Sequence, residues 1–332
     1  MKPIQLFKTL AVGVTAVGVL AATPALAQNK DYILNTASTG GTYHPVGTAI
    51  ATLSKVKLLP KQKFSLTAVN SAGSGANVQA LGADTAQFAI IQGLFGSYAA
   101  TGTGPVTAPQ TNMRSVSMLW QNVEQFVVAN QYAKTGTAAD LVAMKGMTMG
   151  FGKQNSGTIG SNRVLLKGLG LDMAKDFKLM HGGYALANGQ VAGIGAPSGP
   201  PTGAITKLMA SNAAKFTMLT VTPDEAKKMD GGRNLWVPYT IKAGTYPGQT
   251  KDLLTIAQPN FLAVNADVSE EHVYLLTKAI YENLPFLQAI HKATKAMNVQ
   301  AATAGLPVPL HPGAARYYKE VGVAIPAHLM AK

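Results

Sequence analysis

The sequence predicts an α/β protein whose two lobes face a shared cleft. Three observations carry that expectation. Short apolar runs of strand length alternate with apolar runs at helical spacing along most of the chain. Four strand-to-helix junctions, two in each half, are rich in Gly, Ser and Thr. About 300 residues remain after a leader-like start, more than one ordinary core accommodates.

The leader comes first. Lys2 and Lys8 make a basic start, Thr9 to Ala22 is apolar and uncharged, and Ala25-Leu26-Ala27 fits a small-residue cleavage site. The apolar run is shorter than the roughly 20 residues of a comfortable membrane span. The expectation is an export signal over 1–27 and a soluble mature chain in the periplasm from Gln28. An uncleaved anchor is the alternative. The absence of cysteine excludes a thiol nucleophile and a lipidated cysteine, and it is compatible with an oxidising compartment. Removing Lys2 and Lys8 takes the formal charge from +13 to +11. The positive residues are scattered singly, with no Arg-rich or aromatic-interleaved run, which points away from nucleic acid and toward small anionic solutes.

The first junction follows the apolar run Tyr32-Ile33-Leu34. In STGGTYHPVG, Gly40 and Gly41 permit a tight turn, Thr42 can cap a helix, and Pro45 falls in the first helical turn, where its missing N–H costs little. A helix start left uncovered in this way presents backbone N–H groups to a carboxylate or phosphate. The second junction runs from strand Phe64–Val69 through Asn70 to Gly75 into a helix from Ala76 to Leu81. Phe88 to Ile91 reads as a buried strand ending at Gln92, a position where open α/β sheets place ligand contacts; a loop glutamine bonding nearby backbone is the competing reading. Val116 to Leu119 and Phe126 to Ala129 are further strands, with a crossing between lobes at Gln121 to Gln125.

The second half repeats the device. Strand Met147–Phe151 leads through Gly152 to Thr158 into a helix carrying Val164, Leu165 and Leu169, with Ser156 as its cap and Lys153 as a nearby charge. A phosphate-loop motif fails here, because its spacing needs glycine where Met147 stands. Strand Val191–Gly195 leads through Ala196 to Thr202 into a helix from Gly203 to Ala210. After Gly231-Gly232 strand patterning returns at Trp236 to Tyr239, Leu253 to Ile256 and Phe261 to Val264. A helix over Val273–Leu284 with Ser269 as cap and a terminal helix over Ala314–Val321 follow. The expected division is 28–122 plus 232–332 for one lobe and 123–231 for the other.

Catalytic patterns are absent. His44, His181, His272, His291, His311 and His328 show no close pair at metal-ligand spacing, and neither a Gly-x-Ser-x-Gly elbow nor a dinucleotide Gly-x-Gly-x-x-Gly occurs. Asp84, Glu124 and Asp140 are isolated, which leaves paired acid–base work unsupported, and Tyr317-Tyr318 reads as helix packing. No catalytic residue, metal or cofactor is expected. His44 is left with two readings, a hydrogen bond to a ligand carboxylate or a loop side chain facing solvent.

GGTYHPVG, NSAGSGANVQAL, GADTAQFAIIQ, NSGT, AGTYPGQTKDL and PLHPGAARYYKEVG occur in this order across the chain. Together they resemble the TAXI family of solute-binding proteins, the extracytoplasmic receptors of one branch of tripartite ATP-independent periplasmic (TRAP) transporters. The resemblance implies a periplasmic-binding-protein type II-like fold with a hinge and a central cleft. It implies a small carboxylate ligand such as glutamate or 2-oxoglutarate, and TRAP-type membrane permease subunits as partners of a monomeric receptor. The family's cleft residues fall here on Gly41, Thr42, Tyr43, Ser71, Ser74, Gln92, Ser156, Gly157, Thr158, Pro197 and Ser198. Two departures bear on the ligand: His44 stands where a second aromatic is usual, and Val191-Ala192 stand where an acidic residue is common. A secreted two-lobed enzyme and a ligand-binding module for a membrane sensor kinase are the alternatives. On the residues alone, the expected anion contacts are backbone N–H groups and hydroxyls at Thr42, Ser74, Ser156 and Thr158, with Gln92 fixing orientation and neither Arg114 nor Arg163 taking part.

Overall fold

Burial explains the order of the strands. In a computed structural model, which describes Met1 and residues 29–181 and 186–330, the apolar strand β3 is buried on both faces and sits at the middle of the first sheet. The leader's apolar run and cleavage site lie outside the described residues. In chain order, β1 (Lys30–Asn35), α1 (Tyr43–Lys57), α2 (Leu59–Gln62), β2 (Phe64–Val69), α3 (Ser74–Gly82), β3 (Phe88–Gln92), α4 (Gly93–Thr101) and β4 (Met113–Val123) come first. Next come β5 (Phe126–Ala129), α5 (Asp140–Ala143), β6 (Thr148–Gly150), α6 (Gly157–Gly168), α7 (Met173–Asp176), β7 (Lys178–Leu179), β8 (Gly193–Gly195), α8 (Gly203–Asn212), β9 (Phe216–Leu219) and α9 (Pro223–Asp230). The chain closes with β10 (Val237–Ile241), β11 (Leu253–Asn265), α10 (Glu270–Glu282), α11 (Leu284–Ile290) and α12 (Pro312–Glu320). Among the described residues no helix is long and apolar enough to cross a membrane.

Two sheets result. One has the order β10-β11-β3-β1-β2, with β4 also paired to β11, and the other has β7-β6-β8-β5-β9. The chain leaves the first sheet at Val123 and enters the second at Phe126. β1, β2 and β3 run parallel, so their carboxyl ends and the helix starts that follow lie along one edge. Gly231, with φ 60°, ends α9 in a left-handed turn, and Thr222 opens the same helix with a capping box completed by Glu225.

Several elements differ from expectation. Leu253 to Ile256 and Phe261 to Val264 belong to one strand, because β11 runs on through Pro259. Proline has no N–H to donate, and the β4–β11 register slips right after it, between Asn260 and Phe261, where a ladder bond can be missed. β4 is also longer than its apolar middle, taking in Trp120, Gln121 and Asn122. Helix α4 is absent from the expectation because Gly93 and Gly96 read as breakers. Close approach requires them: a Cβ on Gly96 would stand 2.7 Å from the ring of Phe261, and one on Gly93 3.0 Å from Leu235. Ser269 stands at the cap of α10 but makes no side-chain cap bond.

Asn77 ties the first sheet to its helix. Fully buried on α3, it donates to the carbonyls of Thr36 and Ile90 at 2.8 Å each and accepts from Ser71 Oγ at 2.6 Å. Asn77→Ala withdraws the amide donor from both carbonyls, leaving Thr36 O to the Ser71 hydroxyl, and a loss of about 1–3 kcal/mol in urea unfolding is expected. An unchanged midpoint and slope would remove Asn77 from that role.

Candidate functional site

The starts of α1, α3 and α6 converge on one cavity of about 290 Å³ between the two sheets. Gly41, Thr42, Tyr43, Ser74, Gln92, Ser156, Gly157, Thr158, Pro197 and Ser198 all line it. Ser71 does not. Its hydroxyl shares one hydrogen between Asn77 Oδ1 at 2.6 Å and Thr36 O at 2.9 Å and accepts from Gly73 N, so it braces the turn before α3 instead. Gly73 makes that turn with φ 116°, a conformation that favours glycine. Ser38, Asn122, Lys153 and Met180 also line the cavity, although only Lys153 attracted notice in the sequence. Asn122 escaped because it belongs to a strand, whose alternation says which face a side chain takes but not what lies over it.

Most hydroxyls expected to meet a ligand already have work within the protein. Thr42 Oγ1 makes no cap bond and instead donates 2.9 Å across the cavity to Gly199 O. Ser156 caps α6 by accepting from Ile159 N at 3.1 Å, while its own hydrogen goes to Lys153 O at 2.8 Å. Ser74 Oγ accepts from Gln92 N at 3.1 Å. The Tyr43 phenol donates to Asn260 Oδ1, and complete burial raises its pKa well above the usual value, so it stays neutral. Ser198 joins Gln125 and Thr202 in a buried hydroxyl–amide cluster under the cis Pro200–Pro201 turn.

What remains free are backbone donors. The N–H groups of Thr42, Tyr43, Ser74, Gly75, Gly157 and Thr158 have no acceptor among the described residues, as the first turn of a helix requires unless something else meets them. Among the described residues Lys153 is the only charged side chain lining the cavity. Arg114 and Arg163 stay out of it: Arg114 Nη1 donates to Thr111 O at 2.7 Å and Met113 O at 3.0 Å, and Arg163 is exposed on α6. His44 also stays out, half-buried with Nδ1 3.1 Å from Thr36 Oγ1.

Gln92 does more than line the cavity. Its Nε2 donates to Ser161 Oγ at 2.8 Å and Gly157 O at 3.2 Å, both on α6, so it joins the first sheet to the second lobe. Ser161 Oγ also accepts from Gln258 Nε2 at 3.0 Å, and Gln258 reaches Glu124 Oε1 at 3.5 Å. Glu124, in the link between β4 and β5, is 1% exposed. Burial pushes its pKa up to about 7 against the opposing donors Trp236, Gln258 and Ser161. Sequence spacing left it an isolated carboxylate. Among the described residues no group of three His, Cys, Asp or Glu side chains is placed to hold a metal.

A family model described as NMT1-like matches residues 34–322. A solved structure of a protein from Bordetella bronchiseptica RB50 aligns over 90% of this chain and 85% of its own at 15% identity, with a TM-score of 0.53. The binding-protein component of an ABC phosphonate transporter from Pseudomonas aeruginosa aligns over 79% and 78% at 11% identity, TM-score 0.51. MatC from Rhodopseudomonas palustris with bound malate aligns over 80% and 88% at 13% identity, TM-score 0.52. Identities this low show a common fold, the two-lobed α/β architecture of periplasmic binding proteins.

The seam between the lobes depends on glycine. A Cβ on Gly75 would stand 2.6 Å from Asn155 O, a backbone atom of the opposite lobe, next to the 3.0 Å bond from Ala76 N to that same oxygen. Gly75→Ala is therefore expected to hold the lobes apart; the Phe95 ring, 3.1 Å from the same Cβ, must give slightly, and alanine's helix preference offsets that cost. Small-angle scattering should give a larger radius of gyration at an unchanged denaturation midpoint. A radius equal to wild type would show that the seam yields to a methyl group.

Proposed function

The chain belongs to the NMT1-like family, and on that premise we propose that it is a solute-binding receptor of the periplasm, working with a TRAP-type permease of the TAXI kind. Its ligand is a small organic anion, of which glutamate and 2-oxoglutarate are the leading examples. The observation that carries this reading is the meeting, on one cavity that also holds Lys153, of helix-start N–H groups from both lobes that have no acceptor among the described residues. An isolated carboxylate there meets partial positive charge from several directions. Each helix start contributes roughly 0.3–1 kcal/mol when exposed and more when buried. Hydrogen bonds to a charged acceptor add about 1.5–3 kcal/mol apiece. Micromolar affinity, about 8 kcal/mol, lies within reach of that sum after ordering costs.

The lobes proposed for this mechanism are 28–122 plus 232–332 and 123–231, closing on the solute by hinge bending about the β4–β5 and α9–β10 connections. Binding without turnover is the proposed role, because among the described residues the site offers donors and a neutral phenol but no nucleophile beside a base. Neutral donors and one lysine hold an anion without a guanidinium fork, which suits a ligand that must later be released to a permease.

Titration calorimetry with glutamate, 2-oxoglutarate and other dicarboxylates tests the reading. Lys153→Ala and Thr158→Val should each weaken binding about three- to tenfold, the lysine effect shrinking at high salt. Arg114→Ala should leave it unchanged. Abolition by Arg114→Ala with both other variants intact would replace helix-start recognition by a guanidinium clamp. Mass spectrometry of solute carried through purification should recover an unmodified anion.

A further inference from the structure

We propose that Glu124 is the protonation site that couples lobe closure to pH. It goes beyond the solute-binding reading and rests only on the two lobes opening and closing. The carboxyl lies on the link where the chain first passes between sheets, and three segments that must shift during opening are bonded around it. Trp236 Nε1, from the second crossing, donates to Oε1 at 2.8 Å; Gln258, from β11, approaches the same oxygen at 3.5 Å; and Ser161 faces it from α6. Ser161 Oγ accepts from both Gln92 Nε2 and Gln258 Nε2, so α6 is joined to the carboxyl through Gln258. The second oxygen, Oε2, is buried with no hydrogen-bond partner.

That arrangement suits the neutral acid better than the carboxylate. A buried carboxylate needs charge or several donors around both oxygens, and here one oxygen has none. The charges nearby are spoken for or turned away. From α1 the Tyr43 phenol faces Glu124 and is itself neutral. Asp230, behind Trp236, spends its carboxylate on the N–H groups of Asn234, Leu235 and Trp236. Arg233 Nη1 bonds Asp230 O, and Arg163 on α6 is exposed. α4 contributes only the Leu94 N–H, which goes to Gln258. Opening moves α6, with Ser161, away from β3 and α4, breaks the Gln92 and Gln258 bonds, and admits water to the carboxyl. Closure then raises the affinity of Glu124 for a proton.

Linkage fixes the sign. A proton bound more tightly in the closed form favours closure at low pH. That preference is complete below the open-form value, in the ordinary carboxylate range, and is lost as pH rises through about 7. Between those limits the closed-to-open ratio falls about tenfold per pH unit.

The chain has six glutamates, Glu124, Glu225, Glu270, Glu271, Glu282 and Glu320, so labelling glutamate with ¹³C at Cδ resolves the carboxyls by NMR. The resonance lost in Glu124→Gln should titrate near pH 7 in solute-free protein. Small-angle scattering should show the wild type expanding as pH rises from about 5 to 7 and levelling off above that. Glu124→Gln, which resembles the neutral acid, should stay compact throughout. Trp236→Phe, which removes the 2.8 Å donor to the carboxylate, should move the midpoint up. A Glu124 midpoint below about 5, equal expansion of wild type and Glu124→Gln, or a midpoint unmoved by Trp236→Phe would overturn the proposal. No solute enters these measurements, so their failure is separate from failure of the solute reading.

Discussion

Buried amides must be satisfied, and in this protein Gln92 meets that requirement across a lobe boundary. It ends β3 at the centre of the first sheet and is 2% exposed, yet its Nε2 finds its acceptors, Ser161 and Gly157, on α6 of the other lobe. A buried primary amide without partners costs about as much as a core truncation. Closing the cleft therefore settles the polar accounts of the sheet end as well as covering the cavity. Once α6 is held there, its uncovered start faces the starts of α1 and α3, and the cavity acquires its ring of unpartnered N–H groups. Gly157 permits the approach, since any Cβ on it would collide with the Gln92 amide and Ser74.

The cavity's electrostatics follow from that geometry. Charged side chains are few in the whole sequence, and among the described residues one lines the cavity. Backbone dipoles supply positive potential without the desolvation that an arginine would suffer on closure. They are also fixed in place by the helices, whereas a lysine or arginine must give up rotamer freedom to serve the same end. The hydroxyls at Thr42, Ser74 and Ser156 contribute indirectly: bonded to Gly199, Gln92 and Lys153, they set the positions of the loops that carry the N–H groups.

The sequence made the junctions legible because glycine, serine and proline punctuate it, and turn chemistry is local. Four such junctions were visible, and ten of the eleven cleft residues that the family resemblance implied line one cavity. The tertiary uses of those residues were not visible. Thr42 has the composition of a cap yet bonds the opposite lobe, and Ser71 sits in the right turn yet points into the brace below it. Helix α4 was hidden by glycines that exist for packing, and the length of β11 by a proline tolerated at a register slip. Glu124 was hidden most deeply. An isolated acidic residue between two strands is ordinarily a solvated loop position, and only the meeting of β11, α6 and the second crossing removes it from water.

A polar hinge core is unusual enough to need a reason. Apolar residues of like volume would pack at Glu124, Gln258 and Ser161 without desolvation, and such replacements are often neutral or stabilising by 1–4 kcal/mol in other proteins. Dispersion and area burial, however, vary gradually with distance and would accept a range of lobe angles. Hydrogen bonds at 2.8–3.0 Å from Trp236, Gln92 and Gln258 are satisfied at one angle and broken within an ångström or so of it. Under the proposed hinge bending the network would make closure two-state in character, through the residue that touches the cavity, Gln92. Anything that tightens or loosens the Gln92 end, including an anion held at the start of α6, is felt at Glu124 through two shared hydrogen bonds on Ser161. Cavity and hinge are in that sense one polar structure, and the hinge angle and the donor geometry of the site have to be set together.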